Sequence, residues 1–297
     1  MKCQRRVSIR LSHTGWRAEA FDENGNPLDL ALTHGHDYHN MDSMKVTVCQ
    51  MRDKRSEFQE DWNRLVEHSR LESPDIILLP EMAFAPWFAV NSRFVPEAWD
   101  EAVRSHDQAR SQLEDLSPSC ILGSRPVNSG QKRLNQAFIW EQESGLTLAH
   151  TKYHLPNEEG YWEASWYHRG DGAFNPVSCL EATIGFLICT DLWFFQHARR
   201  YGHQGVHLIA CPRATPHATL DKWLAGGRVA AVVSGAYCVS SNKYTRQGAD
   251  LGGQGWVIDP DGHVLGVTST KTPFLTAEIE LATAEEAKKT YPRYVED

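Results

Sequence analysis

From residue 45 onward, apolar and polar positions follow two alternating rhythms. Lys45–Val46–Thr47–Val48–Cys49–Gln50 has the period of two that marks a strand. Between Ser56 and Glu72, apolar residues recur at Phe58, Trp62, Leu65 and Val66, the spacing of one helix face. Ile76–Ile77–Leu78–Leu79 is continuously apolar and closed by Pro80, which predicts a strand buried on both sides. A helical stretch from Glu97 to Leu116 then leads to a strand at Cys120–Ile121–Leu122–Gly123. Asn135 to Trp140 and Leu146 to His150 predict a hairpin around Gly145. Ile184–Ile188, a helix from Phe195 to Gln204 and the strand Val206–Cys211 predict a βαβ unit. A helix from Lys222 to Ser234, a strand at Ala236–Ser240 and a hairpin turning at Asp259–Pro260–Asp261–Gly262 complete the pattern. The alternation predicts one α/β domain over 44–297, with a mixed sheet or a pair of sheets.

Residues 1–43 break that rhythm and are read as an extension. They are polar, with a turn predicted at Asp22–Glu23–Asn24–Gly25–Asn26–Pro27 and histidines at His34, His36 and His39. Three histidines in a polar stretch are read as solvated side chains rather than a metal site. A formal charge of −8 argues against a nucleic-acid surface, which needs a basic footprint. The chain has no apolar run long enough to span a bilayer, and its basic first residues precede no apolar signal segment. Seven cysteines, without a CxxC pair, suit reduced thiols in a cytoplasm better than disulfides or zinc.

Candidate chemistry lies just past three predicted strands, where open α/β sheets build their sites. Leu79–Pro80–Glu81–Met82 carries a carboxylate, His150–Thr151–Lys152–Tyr153 an amine, and Ile188–Cys189–Thr190 a thiol. A cysteine at a sharp strand-to-helix turn has two readings, a buried structural thiol or a nucleophile. A helix N-terminus beside it would lower its pKa and offer free N–H groups to an oxyanion. Carboxylate, amine and thiol also form a coherent set: the first takes the thiol proton, the second stabilises negative charge.

Leu78–Leu79–Pro80–Glu81, Lys152–Tyr153–His154–Leu155–Pro156 and Ile188–Cys189–Thr190–Asp191–Leu192–Trp193–Phe194 together resemble the nitrilase superfamily of carbon–nitrogen hydrolases. Their order and spacing match over residues 44–280. The resemblance implies an α/β four-layer α-β-β-α sandwich with two mixed sheets. It implies Glu81 as general base, Lys152 as the oxyanion-stabilising amine and Cys189 as nucleophile, with the N–H of Thr190 completing the oxyanion hole. A second glutamate is expected among Glu158, Glu159 and Glu163, and the spacing of Glu163 from Gly170–Asp171 selects it. Gly160–Tyr161–Trp162–Glu163, Gly170–Asp171–Gly172, Asp191 and Trp193 are similar to the branch that hydrolyses N-carbamoyl amines such as N-carbamoylputrescine. The chain departs from that pattern at Thr190, where an aromatic is usual, at Phe84–Ala85–Pro86–Trp87–Phe88, and at Phe195, where proline is common.

The implied substrate is a small amide or ureido compound, with neither metal nor organic cofactor, in a homodimer or larger oligomer. Trp87, Tyr161 and Trp193 are candidates to line the pocket, whereas Trp166 is read as packing. Arg213 is read either as a substrate-carboxylate ligand or as part of a structural ion pair, and Cys211 and Cys238 as core thiols. Nitrile hydrolysis, acyl transfer and binding without catalysis are the alternatives on the same scaffold.

Overall fold

A computed structural model describes residues 7–12, 15–20, 43–117, 119–245 and 250–296. The chain divides into two compact units, Met1–Met41 and Asp42–Asp297. In the first, β1 (Val7–Ser12) pairs antiparallel with β2 (Gly15–Ala20), a hairpin that the polar reading of this extension missed. The predicted turn at 22–27, the three histidines and Cys3 lie outside the described residues.

The second unit begins with β3 (Ser43–Arg52) and α1 (Arg55–Glu72), followed by β4 (Ile76–Leu78) and α2 (Pro96–Gln108). The single helix expected over 97–116 is two pieces, α2 and a 3₁₀ helix at Ala109–Leu116. Next come β5 (Cys120–Ser129), β6 (Lys132–Glu141), β7 (Gly145–Thr151), the short α3 (Glu163–Trp166), β8 (Val177–Cys179) and β9 (Ala182–Phe186). After a 3₁₀ turn at Cys189–Trp193 come α4 (Phe195–His203), β10 (Leu208–Arg213), α5 (Leu220–Ser234) and β11 (Tyr237–Tyr244). The chain closes with β12 (Trp256–Ile258), β13 (Val264–Val267), β14 (Phe274–Glu280) and α6 (Leu281–Lys288).

The fold is the expected nitrilase-like α/β sandwich with mixed sheets, and the two sheets are hydrogen-bonded to each other along one seam. The order β7-β6-β5-β4-β3-β11-β10-β9-β8 runs without a break, because Asn242 to Tyr244 of β11 pair parallel with Gln50 to Arg52 of β3. β4 lies parallel to β3 and β5, while β9 and β11 flank β10 in parallel register. β7 returns antiparallel on β6, which is itself antiparallel to β5. The C-terminal ends of β4, β7, β9, β10 and β11 therefore share one edge of the molecule, and that edge receives Glu81, Lys152, Cys189 and Arg213.

Side-chain alternation produces the layers. Val46, Val48, Ile76, Leu78 and Leu122 join Ile184, Phe186, Leu208 and Ala210 in the central core. Ile77, Leu79 and Ile121 point the other way, to Trp62 and Leu65 of α1. Burying each such side chain contributes about 1.5–3 kcal/mol. On the opposite outer face α4 lies close because Gly185 has no Cβ, which would meet the Tyr201 ring at 2.6 Å. The Tyr201 hydroxyl then donates to the Phe186 carbonyl at 3.0 Å.

The cysteine expectation needs correction. Cys120 and Cys179 are paired as a disulfide, whereas Cys49, Cys189, Cys211 and Cys238 are free and buried. β5 and β8 both turn a thiol into the shared core, a meeting of residues 59 positions apart that no local spacing reveals. No helix among the described residues is long and apolar enough to cross a membrane.

Candidate active site

Glu81 comes after β4 through Leu79 and Pro80, and Lys152 comes directly after β7. Both are fully buried, and they meet: Lys152 Nζ donates to Glu81 Oε1 at 2.8 Å. Glu163, equally buried at the start of α3, brings Oε2 within 2.6 Å of the same ammonium. The loop bearing Glu163 is held to the lysine strand by Gly170, whose N–H donates to the Lys152 carbonyl at 3.0 Å. A Cβ at Gly170 would lie 2.5 Å from the Thr151 carbonyl oxygen, so the approach requires glycine. The Glu163-to-Gly170 spacing thus has a mechanical meaning.

Each carboxylate spends one oxygen on its partners. Glu81 Oε1 also accepts from Asn135 Nδ2 at 2.8 Å, and Glu163 Oε2 accepts from the Tyr167 hydroxyl. Glu81 Oε2 and Glu163 Oε1 have no hydrogen bond among the described residues. Burial pushes Glu163 up to about 7, against the pull of Lys152 and with the added repulsion of Glu81. Burial works against the Lys152 charge too, but Glu163, Glu81 and Cys189 outweigh it and hold the ammonium well above its ordinary range. The cluster is two carboxylates around one cation, out of water.

Cys189 sits at the turn after β9 with φ +48°, a conformation unusual for a side chain with a Cβ. It opens a 3₁₀ turn of 5 residues, and α4 begins only at Phe195. The expected depression of the thiol pKa is accordingly absent. Burial pushes the Cys189 thiol up, Glu81 pushes further and Lys152 opposes. These surroundings favour the protonated thiol over a preformed thiolate. The N–H of Thr190 precedes the first bond of the turn, which Asp191 donates to the Ile188 carbonyl at 3.1 Å. Asp191 braces the turn from behind: its Oδ1 accepts the N–H groups of Tyr153 and His154 at 3.3 and 2.9 Å, and its Oδ2 meets His150 Nε2 at 3.0 Å. One buried carboxylate thus ties the Cys189 turn to the lysine strand.

A cavity of about 220 Å³ opens onto Cys189 and Glu163. Of the candidate pocket residues, Tyr161, Thr190 and Trp193 line it, together with Glu158 at an exposed position. Glu159 is exposed and makes no wall of this cavity. Trp223, its ring tilted against that of Trp193 with centroids 4.9 Å apart, and the exposed Lys222 are wall residues the sequence did not single out. Trp87 lies behind the wall. Its indole donates to the Gly160 carbonyl at 2.9 Å and its ring centroid is 5.9 Å from that of Tyr161. Trp166 is buried among aromatic neighbours, as packing.

Arg213, fully buried at the end of β10, is not in the cavity wall. Its guanidinium donates to Ser240 Oγ at 2.6 Å, Thr215 Oγ1 at 2.8 Å and the Gln254 carbonyl at 2.6 Å, and lies 3.9 Å over Trp256. Neither sequence reading of Arg213, substrate ligand or ion pair, describes this neutral cradle. Neither Asn135 nor Tyr167 was among the site residues predicted from the sequence. Among the described residues, the one cluster with metal-ligand chemistry is Cys120, Glu141 and Cys179, at the start of β5 away from this edge, and its two thiols form the disulfide.

The carbon–nitrogen hydrolase family profile matches residues 45–289. An omega-amidase from Xenopus laevis is 23% identical, over 77% of this chain and 85% of its own. An N-carbamoylputrescine amidase from Oryza sativa is 24% identical, over 57% of this chain and 58% of its own. Among solved structures, a carbon–nitrogen hydrolase from Helicobacter pylori superposes with a TM-score of 0.75 at 19% identity, covering 86% of this chain and 95% of that one.

Proposed function

The chain belongs to the carbon–nitrogen hydrolases, and from that premise we propose that it is a cysteine-dependent amidohydrolase acting on small amides or N-carbamoyl amines. The observation that carries this reading is the buried Glu81–Lys152–Glu163 cluster at the Cys189 turn, with one oxygen of each carboxylate uncommitted. A protonated thiol beside a carboxylate with a free lone pair is the starting state for general-base attack.

In the proposed cycle Glu81 Oε2 takes the Cys189 proton as sulfur attacks the substrate carbonyl carbon. The Lys152 ammonium and the Thr190 N–H receive the oxyanion. Collapse breaks the C–N bond, and Glu81 returns its proton so that ammonia leaves and a thioester remains. Water, deprotonated by Glu81, attacks the thioester; the thiol is restored and an acid is released. From an N-carbamoyl amine that acid is a carbamate, which loses carbon dioxide. The omega-amidase and N-carbamoylputrescine amidase relatives support both substrate classes. Tyr161, Trp193 and Trp223 give the cavity aromatic walls, which suit an aliphatic or cationic chain beyond the reacting carbon.

The test is ammonia release across a panel of N-carbamoyl amines, ω-amides and simple aliphatic amides, with nitriles as the competing class and Cys189→Ala as control. Release from an amide or carbamoyl substrate, lost in the variant, supports the proposal. Turnover of nitriles alone, or release that survives Cys189→Ala, overturns it.

A further inference from the structure

Glu163 is faced by Lys152 at the end of β7, Glu81 beyond β4, Cys189 beyond β9, Tyr161 on the preceding loop and Tyr167 just past α3. Four of these five carry or can acquire negative charge. Lys152 is the single cation, and it is shared with Glu81. Among the described residues, the one neutral donor on the Glu163 carboxylate is the Tyr167 hydroxyl, which bonds the same Oε2 that faces the ammonium. Tyr167 is buried in the aromatic cluster of Trp99, Trp166 and Trp87, so its phenol cannot swing to solvent. The tyrosine backbone is tied as well, its N–H donating to the Glu163 carbonyl at 3.0 Å. A ring alone would fill this place in the core; the hydroxyl adds nothing to packing and ends on the Glu163 carboxylate, with the Asn135 side chain as its second hydrogen-bond partner.

We propose that Tyr167 is a positioning residue of the hydrolase site, whose hydroxyl keeps the Glu163 carboxylate charged against Lys152 and so sets the acid limit of activity. The inference rests on the proposed roles of Glu81, Lys152 and Cys189. Its physical basis is that a donor stabilises the ionised carboxylate and has no such effect on the neutral acid. With the donor present, Glu163 titrates near 7. Removing it moves that midpoint upward. When Glu163 gains a proton, the ammonium loses one of its two countercharges, and with it the orientation that presents Lys152 to the oxyanion.

The experiment is the pH profile of kcat/KM for Tyr167→Phe, on the best amide or carbamoyl substrate of the panel. The acid limb is expected to move up by about one pH unit, so that activity on the acid side falls about tenfold. Activity recovers at alkaline pH, and KM there is unchanged. Replacing Tyr167 with a fluorotyrosine, a stronger donor, is expected to move the limb the other way. In a Glu163→Gln background, Tyr167→Phe should move no limb. An unmoved limb, or a loss of equal size at every pH, would overturn the proposal, because a packing role predicts that outcome. The pH dependence of Cys189 alkylation by iodoacetamide separates the two levels. A wild-type protein alkylated elsewhere but not at Cys189 overturns the underlying hydrolase reading and this inference with it. Normal alkylation with an unmoved limb overturns only the role of Tyr167.

Discussion

Two cations lie fully buried at the same edge of the sheet, and their surroundings differ in kind. Arg213 is held by neutral oxygens from Ser240, Thr215 and Gln254 and by the face of Trp256. Lys152 is held by two carboxylates. Burial lowers Arg213 to about 10, because no carboxylate in contact with it opposes the loss of water. Lys152 is raised, because its two anions more than offset the same loss. The arginine cradle is closed, its hydrogen bonds each a donor on an acceptor and its flat face on Trp256. The lysine cluster is open, with Glu81 Oε2 and Glu163 Oε1 left over. A finished set of contacts holds a fold together, and an unfinished one can accept a proton. The two centres touch through the Glu81 N–H, which donates to the Arg213 carbonyl at 3.3 Å, so one supports the other.

The comparison breaks most sharply at the open centre. Glu81→Gln removes the base but keeps size and one hydrogen bond to Lys152. On the proposed reading it should lower kcat roughly a hundred- to ten-thousand-fold with KM little changed, measured by ammonia release. Cys189→Ala should leave no turnover above background while the protein stays folded. A Glu81→Gln enzyme of near-normal kcat would assign the base elsewhere.

At the closed centre the effect should fall on stability. Arg213→Met leaves the Ser240, Thr215 and Gln254 oxygens in the core without their donor, and it should cost about 3 kcal/mol in urea unfolding. The pH limbs of the residual activity should not move. A shifted limb would mean that Arg213 tunes the reacting groups through Glu81 and would erase the contrast between the two cations.

The same contrast governs how much could be read from the sequence. Glu81 and Cys189 could be placed because each follows an apolar run, and Lys152 because it follows a predicted hairpin strand. The ends of such strands gather on one edge, and the resemblance rather than periodicity assigned the three their roles. Glu163 was legible only by resemblance, through its distance to Gly170, and the structure supplies the reason in the tight Gly170–Thr151 contact. Asn135 and Tyr167 were not legible. A polar residue inside β6 and a tyrosine amid tryptophans have no local pattern that says which carboxylate they will meet. Arg213 misled for a related reason: two of its three buried acceptors come from β11 and from the loop before β12, both distant in sequence. The seam between β3 and β11, the β1–β2 hairpin and the Cys120–Cys179 pair were likewise invisible to periodicity, which reports a residue's face but not its partner.

Asp191 stands between the two kinds of centre, a buried carboxyl that reaches the Lys152 strand through the backbone N–H groups of Tyr153 and His154 and the side chain of His150. Asp191→Asn keeps an acceptor for Tyr153 and His154 but weakens it, and it alters the His150 contact. If its role is to brace the Cys189 turn against the Lys152 strand, kcat should drop about tenfold from misplacement, with KM and the pH limbs held. A rise in KM alone would instead tie Asp191 to substrate binding.

The smallest effect should come from Trp87, which braces the pocket without lining it. Trp87→Phe keeps the aromatic contact with Tyr161 and removes one hydrogen bond, from the indole to the Gly160 carbonyl. That bond is worth about 1 kcal/mol to stability. Gly160 immediately precedes Tyr161, a wall of the Cys189 cavity, so the loosened loop should raise KM severalfold and leave kcat alone. Michaelis kinetics beside a melting curve separate the outcomes. A change in kcat as large as that of Asp191→Asn would place Trp87 among the residues that order the reacting groups, and the line between wall and brace would have to be redrawn through the Gly160 loop.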